Sequence, residues 1–166
     1  SKDRLKRSFL YVSNISGKII NYDGSYTGTI EFSDKIESIN KSNQSDFENI
    51  IIPGFIDLHC HGGNSFDTMA GLSSIIEMSK YHLKHGTTTL LPTTLTANLE
   101  DTIKALEGLN DFINQNNHLT NILGVHLEGP FISPNKLGAQ PPCAQLPNID
   151  FVKKIKDKAK IKVITL

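Results

Sequence analysis

The chain begins with short runs of β-branched and aromatic residues at 9–12, 18–20, 29–32 and 35–39. Ser16-Gly17, Asp23-Gly24 and Ser33-Asp34 punctuate them, and this alternation of apolar run and turn pair predicts short strands. Residues 40–49 are polar and read as a loop. The expected product is a small β-layer, too slight to hold a core alone.

From residue 50 the pattern changes to strand, helix, strand, helix. Residues 50–61 form an apolar run that predicts a buried strand entered through Pro53-Gly54. Over 72–85, Leu72, Ile75, Ile76, Ser79 and Leu83 share one helical face, and Gly86 stands at the C-cap position. Residues 87–94 are β-branched and predict a second strand. Residues 98–116 predict a helix with Asn98 as N-cap and Leu99, Ile103, Leu106, Leu109 and Ile113 facing inward. A third strand is expected at 121–128, then a loop rich in Gly and Pro at 129–147. Asn148 caps a short helix over 149–158, with Val152, Ile155 and Ala159 inward, and a fourth strand follows at 161–166.

Repeated β/α units imply parallel strands joined by helical crossovers. Two architectures satisfy that order, an open doubly wound sheet and a (β/α)8 barrel. A barrel takes about 250 residues, and the stretch after residue 50 is less than half of that. A barrel reading therefore makes this the first half of one, and the chain is expected to be a piece of a longer protein. The absence of a starting Met agrees with that expectation.

Composition narrows the function classes. The 166 residues carry 17 basic and 17 acidic side chains, for a formal net charge of zero. Binding to nucleic acid or to an anionic membrane by bulk charge is not expected. A hydrophobic content of 38% with 20% charged residues is that of a folded chain. Two cysteines, Cys60 and Cys143, cannot form a disulfide scaffold and point to a reducing, cytoplasmic setting. No run approaches the roughly 18 apolar residues that span a bilayer. The charged residues 1–7 lead into no long apolar segment, so they do not read as a signal peptide. No P-loop or dinucleotide fingerprint is present.

The chemistry concentrates at Asp57-Leu58-His59-Cys60-His61-Gly62-Gly63. On a regular strand Asp57, His59 and His61 share one face, and Ile56, Leu58 and Cys60 the other. Two imidazoles at this spacing at a strand end can converge on one cation. Asp57, one layer deeper, is placed to orient a histidine. In the third strand Ile122, Gly124, His126 and Glu128 share a face, opposite Leu123, Val125 and Leu127. Glu128 ends that strand, at the C-terminal edge where parallel α/β folds carry their sites. Two imidazoles and a carboxylate suit zinc first, with iron, nickel or cobalt as alternatives. His82 and His85 are expected on a solvated helix face, His118 in a polar loop, and Cys60 as an inert core thiol. Cys143 has no base beside it. Thr87-Thr88-Thr89 and Thr93-Thr94 are explained by strand propensity. The loop at 129–142 offers Gly138-Ala139-Gln140-Pro141, with backbone donors and one side-chain amide suited to a neutral polar ligand.

Pro53-Gly54-Phe55-Ile56-Asp57-Leu58-His59-Cys60-His61-Gly62 resembles the first barrel strand of the amidohydrolase superfamily. Gly124-Val125-His126-Leu127-Glu128-Gly129-Pro130-Phe131, with Gly138-Ala139-Gln140-Pro141 and His85-Gly86-Thr87-Thr88, resembles the N-acetylglucosamine-6-phosphate deacetylases. The resemblance runs from about residue 18 to residue 166. It implies an α/β fold, the first half of a (β/α)8 TIM-type barrel over residues 51–166. Residues 1–50 would then be strands of a small β-sandwich domain. It implies Glu128 as principal metal ligand, His59 and His61 as further ligands, and one or two divalent ions. Ala139 and Gln140 match a substrate-contacting pair.

The implied reaction is hydrolysis of the acetamido group of N-acetylglucosamine 6-phosphate to glucosamine 6-phosphate and acetate. The catalytic Asp and two further His ligands of that family come from later strands, so no catalytic residue is assigned here and these residues alone are expected to be inactive. No arginine after Arg7 offers a phosphate clamp. The resemblance also implies a homodimer in the full-length form. The alternatives are another amidohydrolase, acting on a cyclic amide or a different acetamido sugar, and a non-catalytic half-barrel binding or assembly module.

Overall fold

The structure, a computed structural model, describes residues 12–44, 46–115 and 119–166. The strand expected at 9–12 falls almost wholly outside them, as do residues 1–7, Asn116 and His118. The chain divides into two compact units, the first ending at Pro53 and the second starting at Gly54.

The first unit is a four-stranded sheet of β1 (Ser13–Asn21), β2 (Gly24–Phe32), β3 (Ile36–Ser42) and β4 (Ile50–Ile51). Its order is β3-β2-β1-β4. Asn21 pairs with Gly24 around the Tyr22-Asp23 turn, and β4 runs parallel to β1. Ser16-Gly17 is no turn. Both residues lie inside β1, opposite Thr29 and Gly28, and the Ser16 hydroxyl bonds that of Thr29 at 2.8 Å. Cross-strand pairing thus satisfies a residue that local preference assigns to a turn. The expected loop at 40–49 is shorter too, because β3 continues to Ser42.

The second unit begins with β5 (Phe55–Cys60). The hairpin of β6 (Gly62–Gly63) and β7 (Phe66–Asp67) follows it. Then come α1 (Leu72–Lys84), β8 (Thr87–Pro92), α2 (Leu99–Asn114), β9 (Asn121–Ile122) and β10 (Val125–Glu128). The unit closes with α3 (Ile149–Ile155) and β11 (Ile161–Thr165). The expected run at 50–61 is therefore two strands. Pro53, which lacks an amide proton, separates β4 of the first sheet from β5 of the second.

The strands β5, β8 and β9 pair in parallel, as do β10 and β11, and a parallel bridge from Thr93 to His126 links the two sets. The staves thus stand in chain order with a helix in each crossover. The strand order never reverses, as a doubly wound sheet would require. This is the first half of a (β/α)8 barrel.

Helix boundaries follow local chemistry. Asn98 accepts from the Asp101 amide, and Asn148 from those of Asp150 and Phe151. Gly86, with φ of +89°, follows α1. The helices cover one face of the sheet, where Ile75, Met78, Leu90, Leu106, Val125 and Leu127 are buried together. Phe55, Ile56 and Leu58, expected inside, are each more than half exposed, since β5 pairs only with β8 among the described residues.

Candidate metal centre

Two irregularities in the strands decide which side chains reach the site. In β5 the register slips between Asp57, opposite Leu90, and Cys60, opposite Pro92. Laterally paired residues share a face of the sheet, and Leu90 belongs to the helix-packed core. Asp57 therefore lies on the side of Cys60, not on that of the histidines. Its Oδ1 accepts from the His59 amide at 3.0 Å. The expected role of orienting an imidazole ring is not what its contact does.

In the third stave Gly124, with φ of +153°, breaks the strand between β9 and β10. The alternation changes phase there. Ile122 joins Val125 and Leu127 in the core, whereas a regular strand would put it with His126 and Glu128. An added Cβ at Gly124 would collide with the Lys160 carbonyl.

His59, His61 and Glu128 nevertheless meet. Their ligand atoms all lie within 4.8 Å of one another. Glu128 Oε2 is 2.9 Å from His61 Nε2 and 3.3 Å from His59 Nε2. The two Nε2 atoms are 3.1 Å apart, with the rings edge to face.

Protonation explains why this arrangement suits a cation. His61 Nδ1 lies 3.1 Å from the Thr93 carbonyl, which can only accept, so the ring proton sits on Nδ1. In the neutral ring Nε2, which faces Glu128, is then the nitrogen that carries the lone pair. Glu128 Oε2 is buried and receives no hydrogen bond. Three atoms able to donate an electron pair thus converge on one point, an arrangement that a divalent ion would satisfy. Such a ring, with its other nitrogen bonded to a carbonyl, is the usual state of a metal-binding histidine.

The surroundings are largely satisfied. The Glu128 amide donates to Thr94 Oγ1 at 3.2 Å. His126 is buried, and both its nitrogens are engaged. Nδ1 donates to the Leu58 carbonyl at 3.3 Å, and Nε2 accepts from the Thr165 hydroxyl at 2.7 Å. Its ring meets His59 edge to face at 4.9 Å.

His82 is not on a solvated face. Its Nε2 lies 3.1 Å from the Gly62 carbonyl and 3.2 Å from Cys60 Sγ, against the turn that follows His61. Helical periodicity could not reveal this, because the partner is a backbone carbonyl of another element. His85 is exposed, with Nδ1 donating to the Tyr81 carbonyl. Cys60 is buried, and desolvation pushes its thiol pKa up; a backbone hydrogen bond at Gly62 opposes this and the Asp57 charge adds to it. Cys143 is exposed.

Of the loop pair, Ala139 is exposed and Gln140 is half-buried. Gln140 Oε1 accepts from the Thr96 amide at 2.7 Å. Thr96 in turn packs against Gly129, where no Cβ would fit. Gln140 is thereby tied to the residue that follows Glu128, with its amide protons left for another partner.

Sequence reasoning gave no role to Thr93, Thr94 and Thr96, all essentially inaccessible. Their position just past a strand's C-terminal end, beside that of the proposed ligands, was the available signal.

The amidohydrolase family profile matches residues 50–165. The chain belongs to the amidohydrolase family. Members of this family are metal-dependent, and the His59, His61 and Glu128 cluster is a possible metal site. Over 137 residues the chain is 36% identical to an N-acetylglucosamine-6-phosphate deacetylase of Bacillus subtilis, covering 78% of this chain and 35% of that protein. It is 32% identical to an N-acetylgalactosamine-6-phosphate deacetylase of Escherichia coli O157:H7, covering 64% and 29%.

A crystal structure of the Thermotoga maritima N-acetylglucosamine-6-phosphate deacetylase superposes with a TM-score of 0.78 at 32% identity, over 87% of this chain and 40% of that one. The chain spans about a third of the length of the curated relatives it matches. Among the described residues, no helix is long and apolar enough to cross a membrane.

Proposed function

We propose that the whole protein to which this chain belongs hydrolyses the acetamido group of N-acetylglucosamine 6-phosphate, releasing acetate and glucosamine 6-phosphate. The observation that carries this reading is the convergence of His59 Nε2, His61 Nε2 and Glu128 Oε2, with the His61 proton held on Nδ1. In this reading these three side chains hold one or two divalent ions. The donor set suits zinc first, then iron, nickel or cobalt.

A bound divalent ion would lower the pKa of water and polarise an amide carbonyl. The chain's own residues do the rest of what falls to them. Glu128 brings negative charge to the mouth of the half barrel. Thr93 keeps His61 in the tautomer that leaves Nε2 unprotonated. Gln140, with Oε1 occupied by the Thr96 amide, presents only donors and so orients an acceptor on the sugar, beside Ala139. The proton-transferring carboxylate is expected from an aspartate elsewhere in the whole protein.

The reading also assigns residues 1–50 to a small β-sandwich domain and residues 51–166 to the barrel. It further includes a cytoplasmic setting and a homodimer. A second substrate is favoured by one observation: the 32% identity to an enzyme named for N-acetylgalactosamine 6-phosphate. The test is acetate release by the complete, zinc-loaded protein from each of the two sugar phosphates. Turnover of the glucosamine derivative at least tenfold faster supports the reading. Preference for the galactosamine derivative replaces the substrate, and release from neither overturns the deacetylase assignment.

A further inference from the structure

Thr93 and Thr94, just past the end of β8, stand between the two halves of the cluster. Both are fully buried. Successive amides of a strand point to opposite neighbours, and these two residues divide their bonds accordingly. Thr93 serves the histidine side. Its amide donates to the Cys60 carbonyl at 2.7 Å, and its hydroxyl accepts from the Cys60 amide at 3.0 Å. The same hydroxyl donates to the Leu91 carbonyl at 3.2 Å, and the Thr93 carbonyl takes the His61 proton contact at 3.1 Å. Thr94 serves the glutamate side. Its amide donates to the His126 carbonyl at 3.0 Å, and its hydroxyl accepts from the Glu128 amide at 3.2 Å.

We propose that Thr93 and Thr94 form a positioning element of the metal centre, in which the Thr94 hydroxyl sets the distance of the Glu128 carboxylate from the two imidazoles. The inference rests on the metal-site reading above. One rigid peptide unit joins the anchor of His61 to the anchor of Glu128, so the spacing of the ligands is carried by the shortest covalent path available. Strand propensity alone does not account for the pair. Valine would satisfy it equally, yet each hydroxyl here accepts an amide proton at a ligand residue or its neighbour. A metal site tolerates displacements of about 0.5 Å, and loss of an outer hydrogen bond is enough to produce one.

The experiment uses the complete protein and Zn²⁺ alone as probe, in competition with a chromophoric chelator. The thermal midpoint of the metal-free form is followed in parallel. Thr94→Val keeps the shape and removes the acceptor, and Thr94→Ser keeps the acceptor. Thr120→Val is the control. Thr120 is equally buried, and its hydroxyl donates to the Ser79 and Thr87 carbonyls.

Thr94→Val is expected to weaken Zn²⁺ binding by about 10–100-fold, with Thr94→Ser within about 3-fold of the parent. Thr120→Val is expected to lower the midpoint and leave zinc affinity unchanged. Zinc affinity unaltered in Thr94→Val, or equally reduced in Thr120→Val, overturns the positioning role. Thr94→Ala removes the same acceptor without added bulk and is read the same way if the valine variant does not fold. Failure of both to fold assigns Thr94 to the fold and overturns the inference. A parent protein that binds no zinc removes the metal-site reading itself. Zinc binding without acetate release removes only the substrate assignment.

Discussion

The Nδ1 atom of His61 donates to the carbonyl oxygen of Thr93 across 3.1 Å, which in the neutral ring leaves the lone pair on Nε2, 2.9 Å from Glu128 Oε2. His59 is more exposed, and among the described residues no carbonyl contact fixes its ring in the same way. The two histidines are therefore unequal ligands. In the complete protein, His61→Ala is expected to lower zinc affinity more than His59→Ala does, and Glu128→Gln to lower it at least as much as His61→Ala. Each loss should exceed the loss in Thr94→Val, an outer partner at about 10–100-fold. Chelator competition measures this, and parental affinity in all three variants would sink the site.

Cys60 and Cys143 differ in accessibility and so in reactivity. Burial raises the Cys60 thiol pKa, and the Gly62 contact only partly offsets it. A thiol-specific reagent at neutral pH is expected to label Cys143 rapidly and Cys60 only on unfolding. The sign of the pH dependence follows from the upward shift. The folded state favours the protonated thiol, so this contribution to stability is fully present below the unfolded thiol pKa. It is lost as pH rises through the folded value. Equal labelling rates for both thiols in the native protein would contradict the buried placement.

Gln140 can be divided into its two functions. Gln140→Glu keeps an acceptor for the Thr96 amide and loses the donors, whereas Gln140→Ala loses both. Both are expected to raise KM for the acetamido sugar phosphate about tenfold, the scale of one hydrogen bond at roughly 1.4 kcal/mol. Only the alanine variant should also become more sensitive to proteolysis in the loop around 129–147. An unchanged KM in the glutamate variant would mean that the amide protons contact no substrate.

Gly124→Ala is predicted to be strongly destabilising. The residue holds φ of +153°, and its added Cβ would meet the Lys160 carbonyl at the β10–β11 seam. Backbone strain and the clash together are expected to cost about 2–4 kcal/mol, read as the shift of the denaturation midpoint. A shift below about 0.5 kcal/mol, the level of an ordinary surface change, would mean that the phase change at Gly124 is not needed for the fold.

Periodicity alone determined the kind and order of most elements. The stripe from Leu99 to Ile113 and the Asn98 and Asn148 caps are encoded within a few residues of where they act, so α2 and α3 were legible. The same holds for His59 and His61, whose spacing and following glycines lie in one short segment. What the sequence could not supply was phase. The slip between Asp57 and Cys60 depends on how β5 pairs with β8, and the break at Gly124 on how β10 meets β11. Each moves side chains to the opposite face, because a strand's period is two and one extra residue inverts it. Asp57 and Ile122 were misplaced for that reason, and His82 because its partner is the backbone of another element. The convergence of Glu128 on the histidines, and the hold of Thr93 and Thr94 on both, exist only once parallel staves stand side by side. Lateral hydrogen bonds between residues far apart in the chain leave no local mark on the sequence.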